Sequence, residues 1–207
     1  SVFYPGKLLL VALPFPWATR LNLYILAHLL LAAAGSYRLA GRWKLGRAPA
    51  FLAAAAYSLS GPVLSLHANI PFLVGAAWLP WAIQALDQLL RRGQRSAILS
   101  LALVLALMVL GGDPQAAYHV GLAGGLYLLM LPRRISGRSR RQGLALLASA
   151  ALLARLLSAI PLLPLLEQSR QSTRAVPDTP RSIYELRLEG QAPKEQLRGL
   201  LGQAGNP

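Results

Sequence analysis

The sequence predicts an all-α, polytopic transmembrane helical bundle, and three observations predict it. Of the 207 residues, 55% are hydrophobic and only 14% are charged, an apolar share above that of ordinary soluble domains and far from disordered or fibrous compositions. The apolar residues gather into about six windows near the length of a membrane span, which is roughly 20 residues for a hydrocarbon layer about 30 Å thick. The basic residues between those windows fall in alternate loops. A net charge of +14 in a soluble chain would suggest nucleic acid. Here the loops account for much of it, and no nucleic-acid partner is expected. The chain has no cysteine, which removes disulfides and thiolate metal sites.

The opening residues 1–20 are expected to form the end of an outer loop with a short re-entrant or interfacial piece. Leu8–Leu13 is apolar but too short to cross, and Pro14 and Pro16 interrupt it. The bundle is expected over residues 21–166. Its windows run Leu21–Ala40, Ala48–Leu66, Pro71–Leu90, Ser96–Leu110, Gln115–Leu131 and Gly143–Leu166. Arg38, Arg42, Lys44 and Arg47 separate the first two windows, and Arg91, Arg92 and Arg95 separate the third and fourth. Arg133, Arg134, Arg138, Arg140 and Arg141 separate the fifth and sixth. The remaining short loops, around His67–Ile70 and Gly111–Pro114, hold no Lys or Arg. A soluble bundle has no reason to alternate in this way, whereas membrane insertion does. The basic loops are therefore expected on the cytoplasmic side of the membrane.

Trp17, Trp78 and Trp81 fall near the outer ends of the windows and Trp43 near the cytoplasmic surface, depths that indole prefers. Gly121-x-x-x-Gly125 reads as a helix–helix contact. Pro62, Pro80 and Pro161 break helical patterns, which a bundle tolerates where a neighbour satisfies the freed carbonyl. Residues 167–207 turn polar and contain Pro177 and Pro180, so an extracytoplasmic loop is expected, with a short helix from Pro193. The first and last residues suggest an excerpt of a longer protein.

The polar residues of the outer end are the candidates for chemistry. Asp113 is placed to cap the helix that Pro114 starts. It also has a functional reading, in which Asp113, Gln115 and His119 line an outer pocket with His67 and Asn69 from the opposite loop. Such a pocket would bind a cation or sugar hydroxyls, or act as acid or base. His28, inside the first window, must face protein, since imidazole in lipid is costly. Arg155 falls near the middle of the sixth window, where an arginine needs a partner or a wet cavity. A lipid phosphate suits its guanidinium fork. Asp87 precedes Arg91 by four residues, the spacing of a local ion pair. No metal-ligand spacing such as HExxH, no P-loop and no nucleophile elbow occurs. No metal site or cofactor is assigned, and a divalent metal is left open.

The order of FYPGKLLLVALPFP, NLYILAHLLLAAAGSYRLA and AAAAYSLSGPVLSLHANIPFLVGAAWLPWAIQALD resembles the bacterial YfhO-like membrane proteins. GGDPQAAYHV and LLSAIPLLPLLEQSRQSTR continue the likeness, which spans roughly Val2 to Arg174. The family often has histidine where Asp113 stands and glutamine where Pro161 stands. The resemblance implies a branch of the GT-C glycosyltransferases, whose members move a sugar from a polyprenyl-phosphate carrier to a cell-envelope acceptor outside the membrane. It implies an internal stretch of a longer, many-span enzyme. The catalytic base would come from an outer loop ending at FYPGK, so no catalytic residue is assigned. Arg155 and His28 become candidates for the lipid phosphate. Two other classes stay open. One is a transporter or flippase, which an inverted repeat would support; the other is a non-catalytic membrane subunit, in which the polar residues need not converge.

Overall fold

The computed structural model describes residues 3–92, 95–131 and 139–160. Among these residues there are eight α-helices and no strand. Helix α1 spans Pro5–Ala12, with proline in its first turn, and ends at Leu13 because a residue before proline is pushed out of the helical region. Helix α2, Trp17–Arg42, buries one stripe that includes Tyr24, His28, Ala32 and Leu39. It closes on a Schellman turn: Lys44 adopts φ 62°, its N–H reaches the Gly41 carbonyl at 3.1 Å, and the Leu45 N–H reaches Ala40 at 3.2 Å.

Helix α3, Arg47–Ser58, leads through Ser60 into α4, Gly61–Ser65. The bend is 41°, where Ser60 accepts the Val63 N–H and so starts a new helix. A 3₁₀ turn, Leu66–Ala68, then joins α5, Ile70–Asp87. Pro80 lies inside α5 and has no N–H for the carbonyl of Ala76, one turn before it. The Tyr57 hydroxyl of α3 donates to that carbonyl at 2.9 Å. A neighbouring helix thus supplies the bond that proline removes, as expected for a broken helix in a bundle. A π turn, Gln88–Arg92, extends α5.

Helices α6, Arg95–Gly111, and α7, Pro114–Met130, follow. Helix α8, Arg140–Leu157, starts on a capping box in which Ser139 and Gln142 satisfy each other's backbone N–H groups. Helix α2 packs on α3 and α5. Helices α6 and α7 pack on each other and lie between α5 on one side and α8 on the other. The main core joins α5, α6, α7 and α8 through residues such as Leu89, Leu101, Met108, Val120 and Ala150. The outward faces carry large bare hydrophobic side chains, among them Leu30, Phe51, Leu99, Leu126 and Leu152. Water does not favour such coverage on every side, and lipid does.

Two helices, Trp17–Arg42 and Ile70–Arg91, are long and apolar enough to cross a membrane, and the bent pair Arg47–Ser58 with Gly61–Ala68 makes a third if it counts as one span. The expectation of six spans is met only to that extent. Helices α6 and α7 have 17 residues each, which is about 25 Å, short of the roughly 30 Å layer. Helix α8 carries Arg140, Arg141 and Arg155.

The arginine-rich connections meet at one end of the bundle. Gln88 contacts Arg42, Arg91 donates to the Tyr127 hydroxyl at 2.7 Å, and Arg140 reaches the Leu129 carbonyl at 3.3 Å. The expected Asp87–Arg91 pair is present at 2.8 Å, with the Tyr127 hydroxyl donating to the same carboxylate at 2.6 Å.

Candidate functional site

At the end opposite those arginines the polar residues divide between the two sides of the α6–α7 pair. On the α5 side, Asp113 caps α7, accepting the Ala116 N–H on Oδ1 at 2.9 Å. Its carboxyl is buried against α5 at Gly75. Any Cβ at position 75 would collide with Asp113 Oδ2, so only glycine lets the two helix ends close. Burial pushes the Asp113 carboxyl above the usual carboxylate range, opposed by the Ala116 N–H and by nearby His119.

One turn along α5 from Gly75, Trp78 opens a buried hydrogen-bond chain. Its indole N–H donates to the Tyr4 hydroxyl at 2.9 Å, and Tyr4 lies 2.9 Å from His28 Nε2. His28 Nδ1 is 2.8 Å from the Tyr24 carbonyl. A carbonyl only accepts, so Nδ1 carries the hydrogen and Nε2 accepts from Tyr4. The Tyr24 ring stacks on the imidazole at 4.1 Å. His28 therefore faces protein, as its place in the sequence predicts. Both ring nitrogens are engaged within the protein. Trp78 and Tyr4, the partners that fix it, were not among the site candidates. They lie 50 and 24 residues away in the chain, and no local spacing signals them.

His67, Asn69, Gln115 and His119 are all exposed at this end. His67 turns back on the Leu64 carbonyl at 2.8 Å, and His119 lies beside the Tyr118 ring at 5.8 Å. They form a polar rim at this end, with His119 near enough to Asp113 to act on its carboxyl.

On the α8 side stands Arg155. Arg140 is level with Leu129, and α7 and α8 run antiparallel, so fifteen residues further along α8 is level with Pro114. Arg155 and Pro114 indeed line the same cleft, of about 400 Å³, together with Tyr118 and Gly121. Arg155 is thus level with the Gly111–Pro114 turn and exposed at the mouth of that cleft. The sequence window had extended to Leu166; residues 161–207, including Pro161 and the expected polar loop, lie outside the described residues. With α6 and α7 between them, Arg155 and His28 are on opposite sides.

The glycine motif also differs from its expected role. A Cβ at Gly121 or Gly125 would meet nothing within 4 Å, whereas one at Gly124 would stand 2.8 Å from Leu86 Cδ1. Close packing falls to Gly124, and the two motif glycines face open space. Among the described residues no cluster of three metal-ligating side chains occurs.

The model of the family described as bacterial membrane protein YfhO matches residues 3–184. The chain belongs to the YfhO family. Its matched span takes in every helix described above, so the apolar helices are those of an integral membrane protein. No curated protein and no solved structure matches at a significant level.

Proposed function

We propose that this YfhO-family chain is the membrane-embedded part of a GT-C-like glycosyltransferase that takes a sugar from a polyprenyl-phosphate carrier and passes it to an acceptor outside the cytoplasmic membrane. In this reading α6, α7 and α8 complete a six-span arrangement with thinner local bilayer, and the arginine-rich end faces the cytoplasm by the positive-inside rule. The observation that carries the reading is Arg155, a cation at the outer level beside an apolar cleft. A guanidinium there offers a two-pronged seat for a phosphate whose lipid tail stays in the membrane.

The chemistry is a displacement at the anomeric carbon. The acceptor hydroxyl forms the new C–O bond while the bond to the carrier phosphate breaks. The polyprenyl phosphate leaves with the bonding pair, and the hydroxyl proton passes to a general base, a role to which no residue is assigned. Arg155 favours the charge that grows on the leaving phosphate. The exposed rim of His67, Asn69, Gln115 and His119 is where sugar hydroxyls would be met. Asp113 serves as a cap in this reading.

The test follows transfer of labelled sugar from a polyprenyl-phosphate donor to extracytoplasmic acceptor by the full-length protein in membranes. Arg155→Ala is expected to reduce transfer roughly a hundredfold or more at normal expression, with partial recovery in Arg155→Lys. Absence of transfer by the wild type with several sugars would turn the assignment to a transporter or a non-catalytic subunit.

A further inference from the structure

We infer that the furrow between α6, α7 and α8 seats the hydrocarbon chain of a polyprenyl monophosphate, with its phosphate at Arg155. This inference rests on the lipid-carrier reading above and adds where the chain lies. The cleft at Arg155 does not end at Gly121. A second space of about 270 Å³ shares Gly121, Leu105 and Ala151 with the first and continues past Gly125 to Leu144. The two form one furrow along α7, running from the outer level toward the middle of the bundle. Its lining is hydrocarbon and glycine apart from a few groups at the mouth. Of these, the Ser158 hydroxyl is already bonded to the Ala154 carbonyl at 2.7 Å.

The floor is made by the missing side chains of Gly121 and Gly125, one turn apart, where a Cβ would meet open space. Gly124 between them holds α7 against Leu86 and Leu147, so the furrow persists beside a tight contact. An apolar trough ended by one cation matches a ligand divided in the same way, a long hydrocarbon ending in a phosphate.

The experiment uses the full-length protein in phosphatidylcholine vesicles that carry a prenyl monophosphate with a diazirine in its tail. Illumination is expected to label Leu122, Leu144 and Ala148. Gly121→Leu, which fills the floor, is expected to lower that labelling about tenfold while leaving thermal stability unchanged. Gly125→Leu is the second variant should the first fail to fold. Labelling elsewhere, unchanged labelling in both variants, or equal labelling by diazirine-tailed phosphatidylglycerol overturns the seat. If transfer still depends on Arg155 in that event, the glycosyltransferase reading survives without it. If the wild type transfers no sugar yet the furrow is labelled and blocked as expected, the seat stands and that reading falls.

Discussion

The α5 side and the α8 side of the α6–α7 pair are built by opposite rules. On the α5 side the polar atoms are largely matched to one another across helices. Trp78, Tyr4 and His28 form one chain, Tyr57 serves Ala76, and Trp81 donates to the Leu31 carbonyl at 3.0 Å over Gly35. Asp113 is pressed onto Gly75. On the α8 side two glycines face empty space and an arginine stands at the rim. Glycine has two uses here: at Gly75 it permits contact, and at Gly121 it maintains separation. The matched side has the character of scaffold, and the open side has room and charge for a ligand.

Substitutions can break or sharpen that contrast. The largest effect is expected from Gly75→Ala, whose methyl must displace the Asp113 carboxyl, costing about 2–3 kcal/mol through overpacking and a lost cap. Thermal unfolding in detergent or nanodiscs measures it; a cost near zero would mean that α5 and α7 are not closely held. Next comes Tyr57→Phe, which leaves the Ala76 carbonyl without its donor in a dry setting, at about 1–3 kcal/mol. The same assay checks it, and an unaffected midpoint would show that water or another group takes over.

Asp113→Asn should have a smaller effect that depends on pH. The folded state raises the carboxyl's affinity for its proton, so the folded state binds more protons than the unfolded. Asp113 therefore lowers stability as pH rises through the usual carboxylate range toward the raised value. Asparagine keeps the cap and removes the charge. The variant should show a flatter stability profile against pH and be the more stable at neutral pH; a parallel profile would contradict this. Smallest is Gly121→Ala, expected to lie within about 1 kcal/mol of wild type on the stabilising side. A loss like that of Gly75→Ala would erase the distinction between the two sides.

Much of the scaffold was legible in the sequence because its causes are local. Pro114 after Asp113 specifies a capped helix start, Asp87 and Arg91 are one turn apart, and a proline within an apolar stretch demands a partner for the carbonyl before it. The identity of that partner, Tyr57, was not legible, since it depends on how α3 lies against α5. The glycine motif misled because spacing fixes a helix face but not what that face meets; moving three residues, to Gly124, changes contact into void. The level of Arg155 against α7 was not legible for a similar reason. The centre of an apolar window does not fix that level, because α8 begins at Arg140 and is registered against α7 by the same residue. The span count was least legible, because apolar stretches alone do not set helix length, and Ser60 and Gly111 end helices early.

The bond from Tyr57 to Ala76 also constrains the order of assembly. Helix α5 cannot complete its own backbone bonding at Pro80, so in lipid it is an unfinished element until α3 lies beside it. Synthesis from the N-terminus supplies α3 first. A ribosome delivering α5 into the membrane presents it to a partner already in place, and the exposed carbonyl itself selects for that docking. In a circularly permuted chain that makes α5 before α3, insertion of α5 should become the slow step, although every contact in the finished bundle is the same.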